Sequence, residues 1–190
     1  MFGKLRYYTK ILNAGEILRR YFIINSFDGV LTTIGVLVGA FISGGFTNRE
    51  IILVVIATGL SMFVSGFGGA LLTEKAEREK AIKELEKVTL KKLDKSIFKK
   101  ASEVIILLTG IVNGVSPLLV SILIIFPFFI LTNQTECFLF SISVAFILLL
   151  VLGGCLGKVS KRNIILSGLE MLIVGIVAIG IILLLKFFNG

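Results

Sequence analysis

Residues 51–72, with the sequence IILVVIATGLSMFVSGFGGALL, decide the fold class because they are apolar throughout and carry no charge. About 20 such residues in a helix cross the hydrocarbon core of a bilayer. Four further apolar runs are also long enough to cross a bilayer, and they lie at about 21–44, 104–131, 137–157 and 163–185. We therefore predict an all-α integral membrane protein with five transmembrane helices.

The composition excludes several classes of function. Only 17% of the residues are charged, against about a quarter in a soluble domain. The net charge of +8 lies beside the apolar runs and forms no aromatic-interleaved basic stripe, so no nucleic-acid partner is expected. The chain has no histidine, no nucleophile motif and no phosphate loop, so we predict neither an enzyme nor a bound cofactor.

The basic residues predict the orientation in the membrane. Of the 20 lysines and arginines, all but Arg49 and Lys186 fall before the first span, in the connector 73–101, or between the fourth and fifth spans. Cytoplasmic loops carry such an excess, so the N-terminus is predicted in the cytoplasm and the C-terminus outside. The chain shows no organelle-targeting element, so a prokaryotic plasma membrane is the simplest location.

Four regions follow from this pattern. Residues 1–20 are predicted to form an interfacial amphipathic helix, because their apolar residues recur at helical spacing among basic ones. Residues 21–72 hold transmembrane helices one and two, and residues 102–190 hold helices three to five. Residues 73–101 are charged and free of glycine and proline, which predicts a cytoplasmic helix continuous with the second span.

Two carboxylates lie inside the predicted spans, where a charge is costly and therefore a functional candidate. Asp28 and Glu170 lie roughly 10–12 Å from the basic edge of the membrane. Asp28 shares a helix face with Thr32, Gly35 and Gly39. The two glycines form a GxxxG pattern, so we predict that this face packs closely, away from lipid. Asn25, one turn before Asp28, is a candidate second ligand.

Met62 and Asn113 lie near the predicted midplane of the second and third spans. A thioether ligates borderline cations such as ferrous iron, although a lone methionine in a span is also ordinary packing. Pro117 leaves the Asn113 carbonyl without its helical hydrogen bond. The freed carbonyl and the amide are candidates for a cation path, with an ordinary kinked helix as the alternative.

Glu74 and Glu77 lie on the charged helix at i,i+3 spacing, with Glu84 one heptad after Glu77. Carboxylates on one face are candidates for collecting divalent cations at the cytoplasmic mouth of a transporter. The alternative is a solvated face, because many lysines surround these glutamates.

Three stretches resemble motifs of the vacuolar iron transporter family. They are INSFDGVLTTIGVLVGA at 24–40, GLSMFVSGFGGALLTEKAE at 59–77 and NGVSPLL at 113–119. Their order, their spacing and the number of spans agree over roughly residues 20–190. The chain departs from the family at Gly66, where the family usually has a glutamate, and in its short, lysine-rich soluble segment.

The resemblance implies a homodimer that moves ferrous iron or manganese out of the cytoplasm in exchange for protons. By position, it implies that Asp28 and Met62 lie on the ion path and that Glu74 and Glu77 begin the metal-binding helix. Glu170 has no family counterpart and is proposed from its depth alone. Two alternatives stay open: a transporter of another small cation or solute, and a non-transporting membrane scaffold.

Overall fold

The computed structural model describes residues 14–90, 92 and 96–189, and the side chains of these except 14 and 185–189. Within this part of the chain there are six α-helices and no strand. They are α1 Ala14–Ser43, α2 Asn48–Thr89, α3 Ile97–Ile125, α4 Pro127–Ile130, α5 Gln134–Val159 and α6 Ile164–Asn189. Of the predicted interfacial helix, residues 1–13 lie outside the described residues, and residues 14–20 belong to α1.

Five of these helices are long and apolar enough to cross a membrane, which confirms the predicted number of spans. The candidate spans are Gly15–Ser43, Asn48–Thr89, Ile97–Ile125, Gln134–Val159 and Ile164–Leu184. Prolines affect the third span in two ways. Pro117 lies inside α3, whereas Pro127 begins the separate helix α4 after a turn at Phe126, because proline has no amide hydrogen to continue a helix.

The charged connector is helical on both sides of a turn. Helix α2 continues without a break from its apolar part to Thr89, and Leu90 then adopts the left-handed backbone conformation with φ of 52°. This conformation ends helices and is unfavourable for a residue with a side chain. Because α3 begins at Ile97, the helix predicted over 73–101 is divided between the end of α2 and the start of α3.

The chain comprises two compact units. One contains Ile23–Met62 and Ser116–Gly190, and the other contains Phe63–Val115 with the described part of Met1–Phe22. The first unit has a core of aliphatic side chains from α1, α2, α3 and α5, closed by Phe128 of α4. The fully buried members include Val30, Ile34, Leu37, Val55, Ile124, Ile125 and Leu149.

Glycines set the helix contacts of both units. In the first, Gly157 lies against Asn163 and Ser167, so α5 and α6 pack closely on either side of the short turn that joins them. In the second, a side chain on Gly110 would meet Leu71 and Phe67, so α2 and α3 pack through this glycine. Small residues allow such approach where two helices pack inside a membrane.

Candidate functional site

Asp28 is an exposed carboxylate within the apolar part of α1. Its neighbours Ser26, Gly29 and Val30 are buried, but Asp28 itself is exposed on the surface of a single chain. The stripe of small residues predicted to share its face, Thr32, Gly35 and Gly39, is only half-buried. The predicted close packing of this face is therefore absent from the single chain. A neighbouring face, which carries Val30 and Ile34, packs on the core instead.

A glycine next to Asp28 makes the close helix contact. A Cβ atom on Gly29 would lie 2.6 Å from the Pro117 Cα atom and 2.7 Å from Val120 Cγ2. Real Cβ atoms do not approach heavy atoms this closely, so only glycine fits between α1 and α3 here. Because Gly29 faces α3, the helix turns the side chain of Asp28 away from that contact.

A hydroxyl pair supports the same contact. Thr33 Oγ1 donates to the Gly29 carbonyl at 2.8 Å and lies 2.9 Å from Ser121 Oγ. Ser121 Oγ in turn lies 2.8 Å from the Pro117 carbonyl oxygen. These buried groups satisfy one another inside an apolar unit, where an unpaired hydroxyl would be costly. They fix the rotation of α1, and with it the outward direction of Asp28.

A cleft with a volume of about 270 Å³ opens along the glycine stripe of α1. It is lined by Gly35, Val36, Gly39, Ala40, Ser43, Phe46, Ile51 and Val54. A Cβ atom on Gly39 would meet no atom within 4 Å, and one on Gly35 would meet only Ile182 Cδ1 at 3.8 Å. The GxxxG surface is thus uncovered in one copy of the chain.

Met62 lies on the helix face of α2 that faces this cleft. Val54 lines the cleft, and Thr58 and Met62 follow it at intervals of four residues, so the three share one side of α2. Both Thr58 and Met62 are half-buried. Asp28 and Met62 do not line the cleft themselves, but each lies on the helix face that one of its lining residues shares, Gly35 on α1 and Val54 on α2.

Asn113 is engaged in a contact between α2 and α3. Its amide Nδ2 donates to the Gly66 carbonyl at 2.8 Å. A Cβ atom on Gly66 would lie 2.9 Å from the Asn113 carbonyl oxygen, and one on Gly114 would lie 2.7 Å from the Phe63 carbonyl oxygen. Both groups that were candidates for a cation path, the amide and the freed carbonyl, thus lie against Gly66. A glutamate at this position would not fit the contact.

Glu74 is buried and paired, whereas Glu77 is exposed. Only 4% of Glu74 is exposed, and its two carboxylate oxygens have different partners. Tyr21 Oη donates to Oε1 at 3.4 Å, and Arg78 Nε donates to Oε2 at 3.3 Å. The structure therefore places Glu74 in a buried contact with Tyr21 and Arg78, and Glu77 on the surface.

Glu170 lies on the outer surface of α6. Its side chain is 61% exposed, and its carboxylate lies 3.8 Å from the guanidinium of Arg162, which is also exposed.

Asn25 is half-buried on α1. Among the described residues, no group of three or more His, Cys, Asp or Glu side chains is arranged to hold a metal ion.

Comparisons with known proteins place the chain in a family. A sequence model of the VIT family matches residues 92–185. An uncharacterized protein of the archaeon Methanocaldococcus jannaschii is 34% identical over 171 residues, which cover 88% of this chain and 87% of the relative. The chain belongs to the VIT family. This is the vacuolar iron transporter family, so the family predicted from the sequence is confirmed; of the three motifs, only the proline motif at 113–119 lies within the matched residues.

Membership of the VIT family gives the chain its general class. It is an integral membrane protein and a metal-ion transporter of a non-enzymatic family. The archaeal relative fits a location in a prokaryotic plasma membrane.

Three residues beside the candidate site of this VIT protein were not predicted from the sequence. They are Gly29, Thr33 and Ser121, which set the direction of Asp28. A signal for the first exists, since Gly29 follows Asp28 directly in the chain. The pairing of Thr33 with Ser121 spans 88 positions, and no periodicity along either helix indicates it.

Proposed function

We propose that this chain exports divalent metal cations, ferrous iron or manganese, from the cytoplasm in exchange for protons. The main support is Asp28, a carboxylate exposed on the surface of an apolar span, on the helix face that continues to the cleft at Gly35 and Gly39. A charge in hydrocarbon is very unfavourable unless a cation, a proton or a polar neighbour compensates it. A carboxylate accepts either a divalent cation or a proton, which is the property that exchange of the two requires.

Met62 would supply the second kind of ligand on this path. Its thioether is soft and binds borderline cations such as ferrous iron better than hard ones. Met62 is half-buried, so part of its side chain is open to contact with an ion. Asp28 would then attract any divalent cation, and Met62 would favour those with affinity for sulfur.

Replacing Met62 with leucine is expected to raise the apparent KM for ferrous iron about tenfold, equivalent to about 1.4 kcal/mol. Leucine keeps the volume and removes only the sulfur. Manganese, which prefers oxygen ligands, should be affected less. Initial uptake rates in proteoliposomes measure this. Met171→Leu is the matched control, because Met171 packs against the core of the same unit. Equal effects on the two metals would contradict ligation by sulfur.

We propose that a second copy of the chain packs against the small-residue stripe of α1 that also carries Asp28. Thr32, Gly35 and Gly39 present a small-residue surface that allows two helices to approach closely. In a two-fold symmetric dimer the same patch of both copies meets itself, so two Asp28 side chains would line one path. The two Asp28 carboxylates would then face each other and the transported ion, and they would no longer face the acyl chains of the lipid.

Crosslinking tests this dimer. In a Cys155→Ser background, Gly39→Cys should give a covalent dimer with a short thiol crosslinker, because equivalent residues lie close together at a symmetric interface. Ile147→Cys is the control, since this residue is 60% exposed on α5 and lies off the stripe. Crosslinking at Ile147 with none at Gly39 would show that a different face forms the interface.

Uptake of ferrous iron into everted membrane vesicles, with and without a pH gradient, tests the proposed exchange. We expect uptake that a proton gradient accelerates and that a collapsed gradient slows. A competition panel of divalent cations tests the alternative of a different cation or solute, which would leave iron uptake at background. No flux of any cation would instead support a non-transporting scaffold.

A further inference from the structure

A second cleft of about 270 Å³ lies at the charged end of α2, within the unit that contains Phe63–Val115. Its walls carry both charged and apolar side chains. Helix α2 contributes Lys75, Arg78, Glu79 and Ile82, and helix α3 contributes Lys99, Ser102, Glu103 and Ile106. Three cations, two carboxylates and two isoleucines thus face one small space. Neither Asp28 nor Met62 is among them, so the proposed ion path does not account for this cleft.

Arg78 is held in place at this cleft by a buried carboxylate. Glu74, with 4% of its surface exposed, binds Arg78 Nε at 3.3 Å and accepts a hydrogen bond from Tyr21 at 3.4 Å. This contact uses Nε, and among the described residues the two terminal nitrogens of the guanidinium make no hydrogen bond or ion pair. A guanidinium fixed in this way is suited to bind two oxygens of a phosphate group, because its N–H groups form a planar fork.

The two carboxylates of the cleft indicate a ligand with both signs of charge. Lys75, Glu79 and Glu103 are exposed, and in the described part of the chain none of them forms an ion pair. A simple anion would be attracted by the cations but repelled by Glu79 and Glu103. A phosphate joined to an ammonium group would satisfy both, with the phosphate at Arg78 and Lys75 and the ammonium at the glutamates.

The position of the cleft along the helices indicates where such a ligand would come from. Its α2 residues begin at Lys75, directly after the apolar run 51–72, and its α3 residues end at Ile106, where the apolar part of the third span begins. The polar headgroups of a bilayer flank its hydrocarbon core at this level. Ile82 and Ile106 add apolar surface for the uncharged part of an amphipathic molecule.

We propose that this cleft binds a phosphate group that carries a neighbouring ammonium, the chemistry of an amine-bearing phospholipid headgroup. A soluble phosphoethanolamine-type molecule has the same chemistry and is the other source. The volume of about 270 Å³ is below that of pockets for drug-sized ligands, which start at about 300 Å³, and suits a headgroup of this size. Binding at this site would attach the end of α2 to the membrane surface, independently of metal transport.

Thermal unfolding of the full chain in detergent tests this proposal, because a ligand that binds the folded state raises the melting temperature. The probes are phosphatidylethanolamine, phosphatidylglycerol, which lacks the ammonium, and water-soluble phosphoethanolamine. We expect the largest rise with phosphatidylethanolamine. Lys75→Gln should weaken the apparent affinity for it about tenfold, and Glu79→Gln with Glu103→Gln should abolish its advantage over phosphatidylglycerol.

The matched control is Lys158→Gln with Lys161→Gln, which removes basic charge from exposed residues outside the cleft. Lys75 is the first choice over Arg78 because its removal leaves no buried carboxylate unpaired. Equal stabilisation by soluble phosphoethanolamine at the same concentration would support the site and assign a soluble ligand. The proposal is overturned if the control pair weakens binding as much as Lys75→Gln, or if both lipids stabilise every variant equally.

Discussion

Asp28→Asn is expected to reduce metal transport by about 100-fold or more while the protein stays folded. Asparagine keeps the shape of the side chain but carries no charge and does not exchange a proton. Loss of a charge–charge interaction in a poorly solvated site removes several kcal/mol of binding, and each 1.4 kcal/mol corresponds to a factor of ten. Initial rates of ferrous iron uptake in proteoliposomes, together with metal-driven proton flux, measure this effect.

The stability of the same variant separates an ion-path role from a structural one. Asp28 is exposed within an apolar span, so removal of its charge should leave the melting temperature unchanged or raise it. Glu136→Gln is the control, because this glutamate lies in the first turn of α5 and its carboxylate accepts a hydrogen bond from the Asn133 side chain at 3.1 Å. Normal proton-coupled flux through Asp28→Asn would refute the proposed mechanism.

The fold could be predicted from the sequence because the membrane imposes a simple requirement. An apolar run of about 20 residues must satisfy its own backbone hydrogen bonds in lipid, and a helix does so using nothing but neighbours in the chain. The run 51–72 therefore predicts its helix without knowledge of any contact. The same holds for the helical continuation to Thr89, which needs only the absence of glycine and proline.

The arrangement at the candidate site could be predicted only in part, because it depends on contacts between helices. The periodicity of α1 places Asp28, Gly35 and Gly39 on one face. It does not show which face the rest of the chain covers, and Gly29 rather than the GxxxG pair makes the close contact. Likewise, Pro117 predicts a freed carbonyl at Asn113, but its position against Gly66 depends on a partner 47 residues away.

For the charged residues, too, spacing along the sequence does not show which side chains distant parts of the chain contact. Glu74 and Glu77 look alike in the sequence, as two glutamates among lysines at the start of a soluble helix. One is buried between Tyr21 and Arg78, and the other is exposed. Tyr21 lies 53 positions before Glu74, so local spacing does not distinguish the two carboxylates. Glu170 falls within the candidate span Ile164–Leu184, but its place in the sequence does not reveal that the side chain is 61% exposed.

Gly153→Val is expected to destabilise the chain by about 3 kcal/mol or more, at the upper end of what overpacking a helix contact costs. A Cβ atom on Gly153 would collide with the Ser167 carbonyl oxygen, and it would lie 2.7 Å from the Gly168 Cα atom. Both obstacles are backbone atoms of α6, so no side-chain rotation relieves the collision. Helix α6 has to move away from α5, and the fall in melting temperature should be about 6–12 °C.

Displacement of α6 should also reach the proposed ion path, since Ile182 of this helix lies beside Gly35, which lines the cleft of α1. Gly180→Val is the matched control on α6, because a Cβ atom there would meet no atom within 4 Å. It should melt close to the parent protein and transport normally. If Gly153→Val behaved like this control, α5 and α6 would not pack through this glycine. If Gly153→Val lost stability but kept full transport, the position of α6 would not shape the path beside Asp28.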